Sequence, residues 1–174
     1  VRHRLDRRRE KGAGGVKRSA TFSHPISRLY RYSLMREWSE LRRVVFVMLN
    51  PSTADEATDD PTIRRCISFA KKWNYGGIEV VNLFAYCASD PKLLAGIVDP
   101  IGRDNNEYIV QAINEAGLVV AAWGAHRSAV TRGAEVKAIL KLHAGEILRC
   151  LGKTKSGAPR HPLYVSSDKA LERF

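Results

Sequence analysis

Cysteine is scarce in this chain, and the scarcity excludes whole classes of protein. Only Cys66, Cys87 and Cys150 occur, far apart and without a CxxC pair. A disulfide framework calls for an even, closely spaced set, and a zinc or iron–sulfur site for paired ligands, so the expectation is three reduced thiols and no metal. No run of about 18 apolar residues exists, so no segment is expected to span a membrane. The Rossmann GxGxxG and P-loop GxxxxGKS/T fingerprints are missing, which removes dinucleotide and ordinary NTPase chemistry. Acidic residues are also few, 18 Asp and Glu against 29 Lys and Arg, leaving a net charge of +11 and a pI near 9.9. Such an excess points to a polyanionic partner.

The charge is unevenly placed. The first twenty residues carry Arg2, Arg4, Arg7, Arg8, Arg9, Lys11, Lys17 and Arg18 against Asp6 and Glu10, +6 of the +11. That stretch contains GAGG and no apolar periodicity, so residues 1–20 read as a flexible basic arm able to hold phosphates non-specifically. It has no apolar core of about 7 to 15 residues and is not a secretory signal; Asp6 and Glu10 argue against a transit peptide. Residues 21–174, with enough hydrophobic content for a core, read as one domain.

What is present is a regular alternation. RRVVFVML (42–49) is a β-branched run of buried-strand type, and IEVVNLFA (78–85), LVVAAWG (118–124) and EILRCLG (146–152) read as the second, third and fourth strands. Helices are expected between them. One starts at Asp60-Pro61, an N-cap followed by proline at the first helical position; others run over about 104–116 and 128–143. DPKLLAG reads as one short helical turn, SSDKALERF as a terminal helix, and RLYRYSLMREWS as an edge strand or hairpin. The predicted class is α/β, a three-layer α/β/α fold with a central, mostly parallel four-stranded sheet.

Right-handed crossovers bring all four strand ends to one side. There they would surround a cleft with NPSTADEATDDP, AYCASDP, WGAHR and APRHPLYV, where open sheets keep their ligands. The oxygen-rich loop Asn50–Asp60 opens onto that cleft. Asn82, a polar residue inside an apolar strand, must find hydrogen bonds or destabilise the fold.

LNPST after the first strand, VVNLFAYCASDP, VVAAWGAHRSAV and RHPLYV resemble, in order and rough spacing, the motifs of the uracil-DNA glycosylase superfamily. The same stretches resemble a largely uncharacterised bacterial family. The superfamily resemblance covers about residues 42–165 and, lacking four cysteines, excludes the iron–sulfur branches. It implies hydrolysis of the N-glycosidic bond of uracil in DNA, single or double stranded, by a monofunctional, monomeric cytosolic enzyme that flips the base and needs no cofactor.

The resemblance assigns roles as follows. Asn50 positions the attacking water, with Asp55, Asp59 or Asp60 supplying a base: Asp55 is the expected one, and Asp60 reads as only the helix cap. His161, neutral, donates to the leaving base, with Arg160 beside it disfavouring the imidazolium. Asn82 reads the base edge, and Phe84, Tyr86 or Trp73 stacks on it. Leu163 and Tyr164 wedge into the gap, while Ser52, Arg127, Arg132, Lys155 and Arg160 hold the DNA. Two other readings compete: a metal-dependent nucleotide or phosphate hydrolase using Asp55, Asp59 and Asp60, and a non-catalytic nucleic-acid binder.

Overall fold

The computed structural model describes residues 15–174 and the backbone of residues 8–11. The strands are β1 (Arg8–Lys11), β2 (Lys17–Phe22), β3 (Arg31–Glu37), β4 (Arg43–Met48), β5 (Gly77–Asn82), β6 (Leu118–Ala121), β7 (Leu148–Cys150) and β8 (Glu172–Arg173). The α-helices are α1 (Pro61–Lys72), α2 (Asn105–Asn114) and α3 (Ala129–Ala144), with short 3-10 turns at Pro91–Gly96, Gly145–Ile147 and Pro162–Tyr164. None of these helices is long and apolar enough to cross a membrane.

All eight strands form one mixed α/β sheet in the order β1-β2-β3-β5-β4-β6-β7-β8. The four runs expected as strands pair parallel to one another in its middle, β5-β4-β6-β7. The expected four-stranded sheet is therefore too small. β1, β2 and β3 extend it antiparallel from β5, and β8 closes it antiparallel against β7.

Within β4 the side chains alternate: Val45 and Val47 face one apolar cluster, and Val44, Phe46 and Met48 the other. The first cluster is covered by α2 and α3 through Ile109, Ala112, Ile113, Val136 and Leu140. The second is covered by α1 through Ile63, Cys66, Phe69 and Ala70. Each such large apolar side chain contributes roughly 1.5–3 kcal/mol on burial.

Three local expectations are corrected. Of the two alternatives for RLYRYSLMREWS, β3 forms the hairpin, with β2, and is not an edge strand. It lies between β2 and β5 and is buried on both faces, because its charged Arg31 and Arg36 are enclosed by the loop after β4 instead of facing water. The terminal SSDKALERF forms no helix. It is too short to nucleate one in isolation, and Glu172–Arg173 instead pairs with β7. The division expected at residue 20 falls inside β2, so residues 17–20 are part of the sheet. Residues 8–11 of the expected arm also join the sheet, as β1, and residues 1–7 and 12–14 lie outside the described residues.

Candidate functional site

The carboxyl ends of β4, β5, β6 and β7 open onto a cleft of about 610 Å³ on the α1 side of the sheet. Its walls come from all four predicted loops. Asn50 and Ser52 follow β4; Ala88 and Ser89 follow β5; Gly124 and His126 follow β6; Arg160, His161, Leu163 and Tyr164 follow β7. Asn82 and Arg31 lie deeper, and Asp60 and Thr62 come from the start of α1.

Backbone hydrogen bonds tie these loops in pairs. Ala88 N donates to Pro51 O (2.9 Å), and Asn50 Nδ2 donates to Ala88 O (2.7 Å) and Pro51 O (3.0 Å). The Asn50 amide nitrogen is thereby spent on holding two loops together, leaving its Oδ1 to accept. Gly124 N donates to Pro159 O (2.9 Å) from a positive φ of 77°, a conformation suited to glycine, and so fixes the fourth loop against the third. Arg65, on α1, donates to Pro162 O (3.3 Å) and Val165 O (2.6 Å) and pins the histidine turn to the helix.

His161 caps that turn. Its Nδ1 accepts from Leu163 N (3.3 Å), so the neutral ring carries its proton on Nε2. Burial lowers the His161 pKa, and the Asp60 carboxylate pulls the other way. The expected cause, the cation of Arg160, is not what favours the neutral ring: burial does.

Asn82 is 1% exposed, and its Nδ2 has no hydrogen-bond partner. The backbone that carries it is held from the opposite face. Asn105 Nδ2 donates to Asn82 O and Leu83 O (3.0 Å each), and Arg132 Nε donates to Leu83 O (3.0 Å). The strand end is thus saturated with donors while the Asn82 amide stays unpaired. Such a group costs stability where nothing binds it.

Several predicted residues lie elsewhere. Asp55 Oδ1 accepts from Ala57 N (2.9 Å) and Thr58 N (2.7 Å), shaping a turn outside the cleft. Burial raises its pKa, but those N–H groups and Arg28 and Arg36 outweigh it, so the carboxyl titrates low. Asp59 pairs with Arg36 (2.8 Å) and Arg18 (3.1 Å). Phe84 and Tyr86 pack on the α2–α3 side, because the strand alternation stops at Asn82, and Tyr86 stands edge-on to Tyr30. Trp73 stacks on Phe46 and Phe69 at the far end of α1, about 18 Å of helix from the cleft. Arg132 is buried and structural; Arg127 and Lys155 are exposed but do not line the cleft.

Three wall residues carry more than the sequence suggested. Asp60 accepts from Ile63 N (2.8 Å) as the α1 cap and, among the described residues, is the one carboxylate lining the cleft. Trp123, buried just after β6, reaches the cleft wall while its indole packs on the α3 side, beside Gly133 and edge-on to Phe174. Arg31, whose partner is Ala54 O, lies on a strand that sequence patterning placed at an edge or in a hairpin. Burial lowers its pKa to about 10, so it stays charged at neutral pH. Among the described residues, no group of three or more His, Cys, Asp or Glu is placed to hold a metal ion.

A family model described as "Protein of unknown function (DUF1643)" matches residues 31–163, from the start of β3 to the histidine turn. No curated protein and no solved structure matches the chain.

Proposed function

Because this chain belongs to the DUF1643 family, whose model spans all four cleft loops, we propose a function for it from the cleft itself: hydrolysis of the N-glycosidic bond of uracil, or a related deaminated base, in DNA. The observation that carries this reading is the pairing of two groups in one cleft. A buried Asn82 amide with an unpaired Nδ2 and a histidine with its proton on Nε2 are what a flipped uracil edge needs.

In the proposed reaction the electron pair of the bond between C1′ and the base nitrogen leaves with the base. His161 Nε2–H donates to the base oxygen that gathers this charge. A water oxygen bonds to C1′; one of its protons stays on the new hydroxyl and the other is released. Asn50 Oδ1 orients that water. An amide cannot take the proton as a base, so the cleft carboxylate Asp60 replaces Asp55 in that role. Leu163 and Tyr164, both exposed on the pinned turn, are placed to wedge into the duplex, with Arg160 and Ser52 beside them for phosphates.

The metal-dependent hydrolase is the weaker reading, because Asp55, Asp59 and Asp60 each have a separate structural partner. The test is a labelled oligonucleotide with one uracil, incubated in EDTA and then cleaved with hot alkali. The expected result is cleavage at the uracil, reduced 10-fold or more (at least about 1.4 kcal/mol of barrier) by Asn82→Ala and by His161→Ala. Intact single- and double-stranded DNA with the unsubstituted protein overturns the proposal.

A further inference from the structure

Arg31 is 3% exposed and lines the cleft that also holds Asn82. Its guanidinium donates from Nη1 to Ala54 O, while Nε is buried without a partner. Among the described residues no carboxylate forms an ion pair with it. A buried cation so poorly matched is costly, and in a cleft the natural compensation is an acceptor brought by the ligand.

The chemistry of the two side chains is complementary. An amide such as Asn82 presents one donor and one acceptor side and can be turned over. One orientation suits uracil, with its O4 acceptor and N3–H donor. The other suits cytosine, with its amino donor and N3 acceptor. Asn82 alone therefore reads the two bases equally well. Arginine has five donors and no acceptor.

Resting on the base-excision reading, we propose that Arg31 is the specificity-determining residue of the pocket: it donates to an oxo group of the extruded base and thereby rejects a base that presents an amino group there. Facing an amino group, Nε–H and the incoming N–H₂ are donor against donor, and both stay unpaired. Sites built around such a hydrogen bond reject the mismatched ligand by large factors, about 100-fold or more. The guanidinium charge also favours a base that gathers negative charge as it leaves.

The test measures binding separately from cleavage. Single-stranded oligonucleotides carry one 2′-fluoro-arabinosyl uracil or cytosine, whose fluorine opposes charge build-up on the sugar and so blocks hydrolysis. Affinities are read by fluorescence anisotropy for the full chain, Arg31→Gln and Arg31→Lys. The unsubstituted protein is expected to prefer uracil by about 100-fold. Gln, an amide that can be turned over like Asn82, brings the ratio within about 5-fold, and Lys, donor-only, keeps most of it. Equal affinities in the unsubstituted protein, which needs no variant to fold, overturn the proposal, as does an undiminished ratio in Arg31→Gln. Cleavage of an ordinary uracil oligonucleotide is followed in parallel. Discrimination without base release sinks the hydrolysis while upholding the role of Arg31. Base release with the ratio intact in Arg31→Gln sinks Arg31 alone.

Discussion

Arg31 and Arg36 stand five residues apart on the same strand, both buried, both reaching the loop after β4, and they have opposite surroundings. Arg36 is 0% exposed and nearly saturated: Nε meets the Asp59 carboxylate (2.8 Å), Nη1 meets Met35 O (2.8 Å), and Nη2 meets Asp55 O and Thr58 O. Arg31 has one backbone carbonyl and a stranded Nε. The first is what a structural buried arginine looks like, its charge matched and its donors used. The second is what a fold leaves when the missing partner comes from outside. Burial lowers the pKa of both; at Arg36 the Asp59 carboxylate opposes it through a direct hydrogen bond, whereas at Arg31 the opposition comes from Cys87, Asp60 and Asp55, none of them hydrogen-bonded to its guanidinium.

The contrast predicts its own largest effect. Arg36→Met leaves Asp59 to Arg18 alone and takes the donor from the carbonyls of Met35, Asp55 and Thr58, and should lower unfolding stability by about 3 kcal/mol in urea, the low end of the cost of breaking a buried pair. Arg31→Met removes a charge that forms no ion pair among the described residues and one hydrogen bond, so its cost should stay within about 1.5 kcal/mol. A large loss at Arg31 and a small one at Arg36 would reverse the assignment of roles.

The same contrast marks where sequence reading stops. Strands β4 to β7 were legible because their apolar runs and intervening helical periods are local signals. The cleft followed from them, since parallel strands must end on one side. Asn82 and His161 stood out as polar residues at those ends. Arg31 did not, because its place depends on β3 pairing antiparallel with β5 more than forty residues away, which no local period encodes. Asp55 and Asp60 are both Asp in one loop. Only the fold decides that one closes a turn on Ala57 and Thr58 and the other turns into the cleft. Phe84 was misplaced for a simpler reason: the strand, and with it the alternation, ends two residues earlier.

Asp60 gives a smaller, cleaner separation of structure from function, since it both caps α1 and carries charge beside Arg31 and His161. Asp60→Ala loses the cap and should cost about 1 kcal/mol of stability. Asp60→Asn keeps a good cap and should cost only a few tenths of that, yet it removes the cleft's carboxylate. On the proposed mechanism both variants lose base excision by similar factors, 10-fold or more. If excision instead tracks stability, falling in Asp60→Ala and surviving in Asp60→Asn, then Asp60 is only a cap.

The smallest expected effect is a titration. Burial is the larger influence on His161 and favours the neutral ring, so its folded pKa lies below the ordinary 6.5, with Asp60 partly opposing the shift. Between the folded value and 6.5 the unfolded chain binds more protons than the folded one. Stability from this group therefore falls as the pH drops through that window and is unchanged by His161 above it. Nitrogen-15 NMR should find the proton on Nε2 at neutral pH, because Nδ1 is occupied by Leu163 N–H. Asp60→Asn should move the midpoint further down, as the one opposing charge is gone. A midpoint that rises in Asp60→Asn, or a proton found on Nδ1, would mean that the turn does not hold His161 as a donor, and the contrast between spent and waiting donors would then rest on Asn82 and Arg31 alone.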